Sequence, residues 1–302
     1  MNGVVLARRL AVAAAVAVLM VIVASAWLRH SLAGLACAAW PSCYGVVDPP
    51  QAIPGAFVAR LVHRFAASAA LILVALVPFL ALRARSGFGA ERALAWLALA
   101  IALGLAALGI ATPGARVPAV ALGNLVGGFA LFATLVVLAA RLSDLRAPRG
   151  GALAVAALVF LFVQVITGGM IGAQYALTSC PATFGCPAAD LASLARSGAI
   201  DPLRPIEIVA GRVQPPDGAA ALVVLHRLLA IVALLVTFAV AWSVRGQRWL
   251  AAAIVMASLG AALSGAAAAL AQPSLAATLA HNAFAAFLVA ALAVAAFRRA
   301  AD

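Results

Sequence analysis

Charge is scarce in this chain. Only 9% of its 302 residues are charged, 67% are hydrophobic, and the mean hydropathy is +1.17. A soluble domain carries about 25% charged residues, so a water-facing surface cannot be built from this composition. Disordered, collagenous and coiled-coil classes fail for the same reason. Lysine is absent: all 20 basic residues are arginine. Acidic residues number only 8, and no pair of carboxylates sits inside an apolar run. That lack, with no broken helices placed alike in two halves, argues against a transporter.

What the chain has is long apolar runs. At about 20 residues per crossing, they supply eight spans, near 10–28, 57–82, 93–111, 118–140, 151–172, 219–243, 249–271 and 277–297. The expected fold is all-α, a polytopic membrane protein of eight transmembrane helices. The net charge of +12 and pI near 11.5 are values that nucleic-acid binders share. Yet the arginines sit in short clusters between apolar runs, the pattern of topology-setting charge, so no nucleic-acid partner is expected.

The clusters are Arg8 and Arg9; Arg83, Arg85 and Arg92; Arg141, Arg146 and Arg149; Arg245 and Arg248; and Arg298 and Arg299. All fall on one side of an eight-span arrangement. The positive-inside rule makes that side cytoplasmic, with both termini there. Arg8, Arg9, the first apolar run and Ala24-Ser25-Ala26 also fit a cleaved signal peptide. The run of ~19 residues exceeds the usual signal core, so a retained first span is the expectation. Two irregular segments, 29–56 and 173–218, then lie outside, where backbone groups escape lipid. The second carries mixed charge and is expected to form a small cap.

The chain reads as two parallel four-helix halves, 1–150 and 151–302. Five residues separate Cys37 from Cys43, and five separate Cys180 from Cys186. Each half has a His-Arg pair near the outer start of its second helix, His63-Arg64 and His226-Arg227. Each fourth helix has a polar residue near its outer end, Asn124 and His281.

Of the four histidines, His30 falls in the outer loop and is expected to be solvated or interfacial. The other three enter helices, where a polar ring is costly and signals function. One reading is interhelical hydrogen-bond glue. For His226 and His281 the other reading prevails: two imidazoles at similar depth on separate helices, gripping a haem iron. Zinc lacks further ligands at that depth. In the first half, Asn124 is a poor iron ligand, so His63 would act alone or hold no haem. Arg64 and Arg227 snorkel to the headgroups or pair with haem propionates. Arg60 lies one turn before His63 on its face. The cysteine spacing fits neither covalent c-type haem attachment nor a zinc ribbon. Loop-local disulfides Cys37–Cys43 and Cys180–Cys186 are the simplest reading, as staples or as redox-active groups.

Over nearly its whole length the chain resembles the haem A synthase family. The matching strings are Gly34 to Gly45 with both cysteines, Val62-His63-Arg64, Leu125-Val126-Gly127-Gly128-Phe129, Gln164 to Gly169, Cys180-Pro181 to Cys186, His226-Arg227 and Ala280-His281-Asn282-Ala283. The resemblance implies an eight-helix bundle in the bacterial cytoplasmic membrane that oxidises the C8 methyl of haem O to a formyl group. The product, haem A, serves terminal oxidases. It further implies haem b on His226 and His281, and substrate haem in the first half with His63 as one ligand. Implied partners are haem O and its upstream supplier, an electron partner of unidentified kind and the lipid bilayer; a homo-oligomer is compatible with this. Two positions depart from the family pattern. Arg60 stands where a Glu is usual, and Asn124 where a second His is usual. The alternative is a catalytically degenerate member that keeps haem b for electron relay or haem handling.

Overall fold

The structure is a computed structural model that describes residues 3–37, 42–47, 55–81, 88–112, 116–143, 151–180, 186, 190–192, 194–269 and 274–298. Eight helices organise it: α1 (Gly3–His30), α2 (Ala56–Leu76), α3 (Gly89–Ala111), α4 (Pro118–Arg141), α5 (Gly151–Ala173), α6 (Ala219–Ser243), α7 (Arg248–Ala269) and α8 (Leu275–Phe297). Short π-helical turns extend α1 over Ser31–Leu35 and α2 over Val77–Ala81. All eight are long and apolar enough to cross a bilayer. Phe65, Ile110, Trp242 and Leu263 are each at least 70% exposed on the outside of the bundle, as lipid-facing side chains are.

The apolar runs predict these helices to within a turn or two. The largest departure is α1, which holds Arg8 and Arg9 inside its first turns instead of following them. Arg92 likewise lies within α3, and Arg248 opens α7. Hydropathy marks only the lipid-embedded part of a helix. The backbone ladder continues into the interface, where arginine is a good helix former. Arg83, Arg85, Arg146, Arg149 and Arg299 lie outside the described residues.

Within α1–α4 the packing runs α1 on α2, α2 on α3, α3 on α4 and α4 on α1. The same closed order holds for α5–α8. Between the two sets α4 packs on α8, while α1 on α8 is matched by α5 on α4. Ile22, Val74, Phe129, Leu135, Leu161, Ile254 and Val289 form the shared core.

One end of the bundle collects the described chain termini and arginines. There the buried Glu91 of α3 pairs with Arg141 of α4 at 3.0 Å, and Arg141 also donates to the Phe297 carbonyl of α8 at 2.9 Å. Glu91→Ala leaves the Arg141 charge in a largely buried setting. Breaking a buried pair this way costs about 3 kcal/mol, so the variant is expected to unfold at clearly lower temperature in a detergent melt.

The other end is capped by loops. Strands β1 (Glu207–Val209) and β2 (Arg212–Gln214) form an antiparallel hairpin around Ala210 and Gly211, both at positive φ as a two-residue turn requires. The hairpin joins the first cysteine segment: the Val213 amide donates to the Gly45 carbonyl at 2.8 Å and Val47 to Gly211 at 2.9 Å. The cap also reaches α4, with Ala119 donating to the Pro202 carbonyl at 2.7 Å. Gly34, at φ 104, permits the close turn after α1; a Cβ there would meet the Cys43 carbonyl oxygen at 2.6 Å.

Candidate functional site

The site follows from where α6 and α8 begin. Gly218, at φ 81, releases α6, and Ser274 caps α8 by accepting from the Ala277 amide at 3.1 Å. His226 and His281 each fall roughly two turns in, near the cap. They meet with ring centroids 6.4 Å apart and planes at 77°.

Neighbouring helices fix both rings. Nδ1 of His281 lies 2.8 Å from the Ala261 carbonyl of α7. Only an N–H can face a carbonyl, so Nδ1 carries the proton and Nε2 keeps its lone pair. Nδ1 of His226 lies 3.0 Å from the Thr167 hydroxyl of α5, which donates its own hydrogen to the Gln164 carbonyl at 2.9 Å. That makes Nδ1 the donor here as well. Gln164 then donates to the His226 backbone carbonyl at 3.0 Å, with its amide nitrogen 3.4 Å from Nε2.

Each ring also lies against a glycine. A Cβ at Gly168 of α5 would sit 2.8 Å from His226, and one at Gly265 of α7 would sit 2.8 Å from His281. No larger residue fits these places without moving the imidazoles. Two imidazoles bound to one metal from opposite sides, each nitrogen at about 2 Å, have ring centres roughly 6 Å apart. The centroid spacing and the Nδ1 contacts fit two imidazoles that would hold one metal, which the Gln164 amide beside Nε2 of His226 would have to leave. Among the described residues no group of three or more His, Cys, Asp or Glu side chains gathers as a metal site.

Thr167, Ala261 and the two glycines carry no role in the sequence reading. Gln164 and Thr167 stand out as polar residues one turn apart in an otherwise apolar helix, which was the available signal. A backbone carbonyl such as that of Ala261 leaves no trace in sequence.

Arg227 follows His226 and grips the second cysteine loop. Its guanidinium donates to the Cys180 carbonyl at 3.1 Å and to Cys180 Sγ at 3.5 Å. The cysteines pair as Cys37–Cys43 and Cys180–Cys186, with Cα separations of 6.6 and 5.6 Å, inside the disulfide range. Residues 38–41 and 181–185 of those loops lie outside the described residues. Tyr44 and Tyr175 link the two outer segments, with ring centroids 6.0 Å apart. Burial pushes both phenols above their ordinary range, so both stay neutral at physiological pH.

His30 corrects an expectation. It is buried in the last turn of α1, 8% exposed, and faces Gly172 of α5. The helix outruns its apolar stretch and the cap folds over it, so the ring is not in a solvated loop. In the first half, His63 is partly buried while Arg60, Arg64 and Asn124 are exposed. The Asn124 amide donates to the Val120 carbonyl of its own helix at 3.0 Å.

Residues 116–293, more than half of the chain, match the COX15-CtaA family, described as cytochrome oxidase assembly protein. The chain belongs to this family. It is also similar to a protein of Shewanella oneidensis named heme A synthase, with 29% identity over 210 residues. That match covers 62% of this chain and 63% of the relative, so the chain spans less than two thirds of the relative's length. The COX15-CtaA match takes in Asn124, His226 and His281 and leaves out Arg60 and His63.

Proposed function

We propose that this protein is a haem A synthase-like membrane oxidoreductase that oxidises the C8 methyl of haem O to a formyl group for terminal oxidases. Haem b sits in the half formed by residues 151–302, between His226 and His281; substrate haem sits in the half formed by 1–150, with His63 as a ligand. The close approach of the two imidazoles, 6.4 Å between ring centroids, carries the reading, and membership in a cytochrome oxidase assembly family supports it. The like packing order of α1–α4 and α5–α8 supports the two halves. Arginines gathered at one end support a cytoplasmic-membrane orientation with both termini cytoplasmic and the cysteine loops outside.

When bound, haem b supplies a one-electron carrier near the substrate site. The chain's own residues do the rest. Ala261 and Thr167 hold the Nδ1 protons of His281 and His226, so each Nε2 carries a lone pair that would serve as ligand once the Gln164 amide turns from His226. Gln164 ties α5 to α6 at His226. Arg64 and Arg227 offer guanidinium groups to haem carboxylates near the cap. Turning a methyl into a formyl group exchanges hydrogen for oxygen and releases electrons. The reaction therefore needs an oxygen source and an electron acceptor outside this chain.

Two observations favour a second reading. Asn124 spends its amide on its own helix, and Arg60 stands exposed where the family resemblance implies a Glu. A protein so built would keep haem b for electron relay or haem handling without oxidising haem O. Haem extraction separates the two readings, using cells that make haem O with and without this chain. The first reading expects haem A only where the chain is present. Haem b retained without any haem A leaves the second.

A further inference from the structure

We infer that His30 donates a hydrogen bond to a carboxylate of the haem, resting on the site proposed between His226 and His281, and so ties α1 to a group held by α6 and α8.

His30 closes α1, a helix that packs on α8. Its ring also meets α5: a Cβ at Gly172 would lie 3.5 Å from His30 Cε1. Gly168, four residues earlier, stands in the same relation to His226, at 2.8 Å. Residues four apart share a helix face, and four steps advance about 6 Å along the axis. One face of α5 therefore carries His226 and, a turn nearer the cap, His30. His281 is close enough for its charge to act on His30. The three imidazoles form one group, with His30 on the cap side of the other two.

His226 and His281 are tethered through Nδ1, but His30 is not. Among the described residues none hydrogen-bonds its ring. The sealed polar atoms without a partner at this end are Arg29 Nε, Ser31 Oγ and Gln174 Oε1, and the His30 nitrogens are not among them. The ring, 8% exposed, thus keeps its small accessible surface where its N–H is. An N–H so nearly buried still calls for an acceptor.

Arg29 decides the kind of acceptor. Its positive charge acts on His30, and among the described residues no carboxylate pairs with it. A neutral acceptor would leave that charge unmatched in a setting where its Nε is already sealed from water. An anionic oxygen answers both side chains, and hydrogen bonds to ionised acceptors are the strong ones. Haem carries two carboxylates on one edge, and one turn of helix is about the step from its centre to that edge.

The test loads the full chain in detergent with haem b or with its dimethyl ester, whose carboxylates are neutralised, and follows release to excess apomyoglobin. Wild type should lose the ester faster than haem b. His30→Phe should release haem b about tenfold faster and the ester at the wild-type rate. Its low-spin spectrum should be kept, because His226 and His281 remain. His30→Gln retains an N–H donor and should recover most of the slow release. If His30→Phe does not fold, His30→Leu carries the same comparison. Unchanged release of haem b overturns the proposal. Equal acceleration of both haems overturns it too, since that is the mark of lost packing alone. Added formate that slows release of both haems alike from wild type would assign the anion to a free carboxylate and overturn the haem assignment. A wild-type protein without low-spin haem overturns the site between His226 and His281 itself, and the role of His30 with it.

Discussion

His226→Ala and His281→Ala are each expected to remove most of the low-spin b-haem absorbance of the purified protein. In the proposed ligation each ring would supply one nitrogen, so losing either would leave at most one. Any haem that remains should then be high-spin. The tethers give a graded control. Thr167→Val keeps the His226 ring but takes away the acceptor of its Nδ1 hydrogen 3.0 Å away. Removing such an outer partner typically costs 10–100-fold in metal affinity, so roughly tenfold weaker haem retention is expected. If the histidines were only interhelical glue, alanine would lower the melting temperature and leave the haem spectrum alone. Optical spectra and melts of the same preparations distinguish these outcomes.

The second large effect concerns the other half. Restoring Glu at Arg60 together with His at Asn124 is expected to raise haem A formation in cells that make haem O. Arg60 is one turn from His63 on the same helix face, so it places positive charge where a carboxylate could move a proton. Asn124 offers an amide, which is a weak iron ligand. A positioned acid–base group contributes about 100-fold or more to a rate, so at least a tenfold rise in haem A yield is expected from Arg60→Glu with Asn124→His. The separate substitutions tell which departure limits the reaction. An unchanged yield in the double variant would mean that neither position limits it.

The eight crossings were legible in the sequence because bilayer thickness imposes a length and a hydropathy on each. The similar depth of the paired histidines was also legible, since each falls near the outer end of its apolar run. Less could be read of what holds the rings. The Ala261 carbonyl has no residue signature, and Gly168 and Gly265 look like any small residue of a packed membrane helix until the facing imidazole is seen. His30 was misjudged for a related reason. Its surroundings are set by a cap joining segments far apart in the chain, through Val213 with Gly45 and Tyr44 with Tyr175. Pairing across such distances follows from the assembled bundle and not from local pattern.

Electron paramagnetic resonance of the oxidised, purified wild-type protein tests the central claim most directly. Were His226 and His281 to hold one iron with their planes near perpendicular, the two iron orbitals facing them would be nearly equal in energy. Planes at 77° therefore predict a low-spin ferric signal of unusually strong anisotropy. A protein that carries only high-spin haem, or none, would contradict the paired ligation of one iron by His226 and His281.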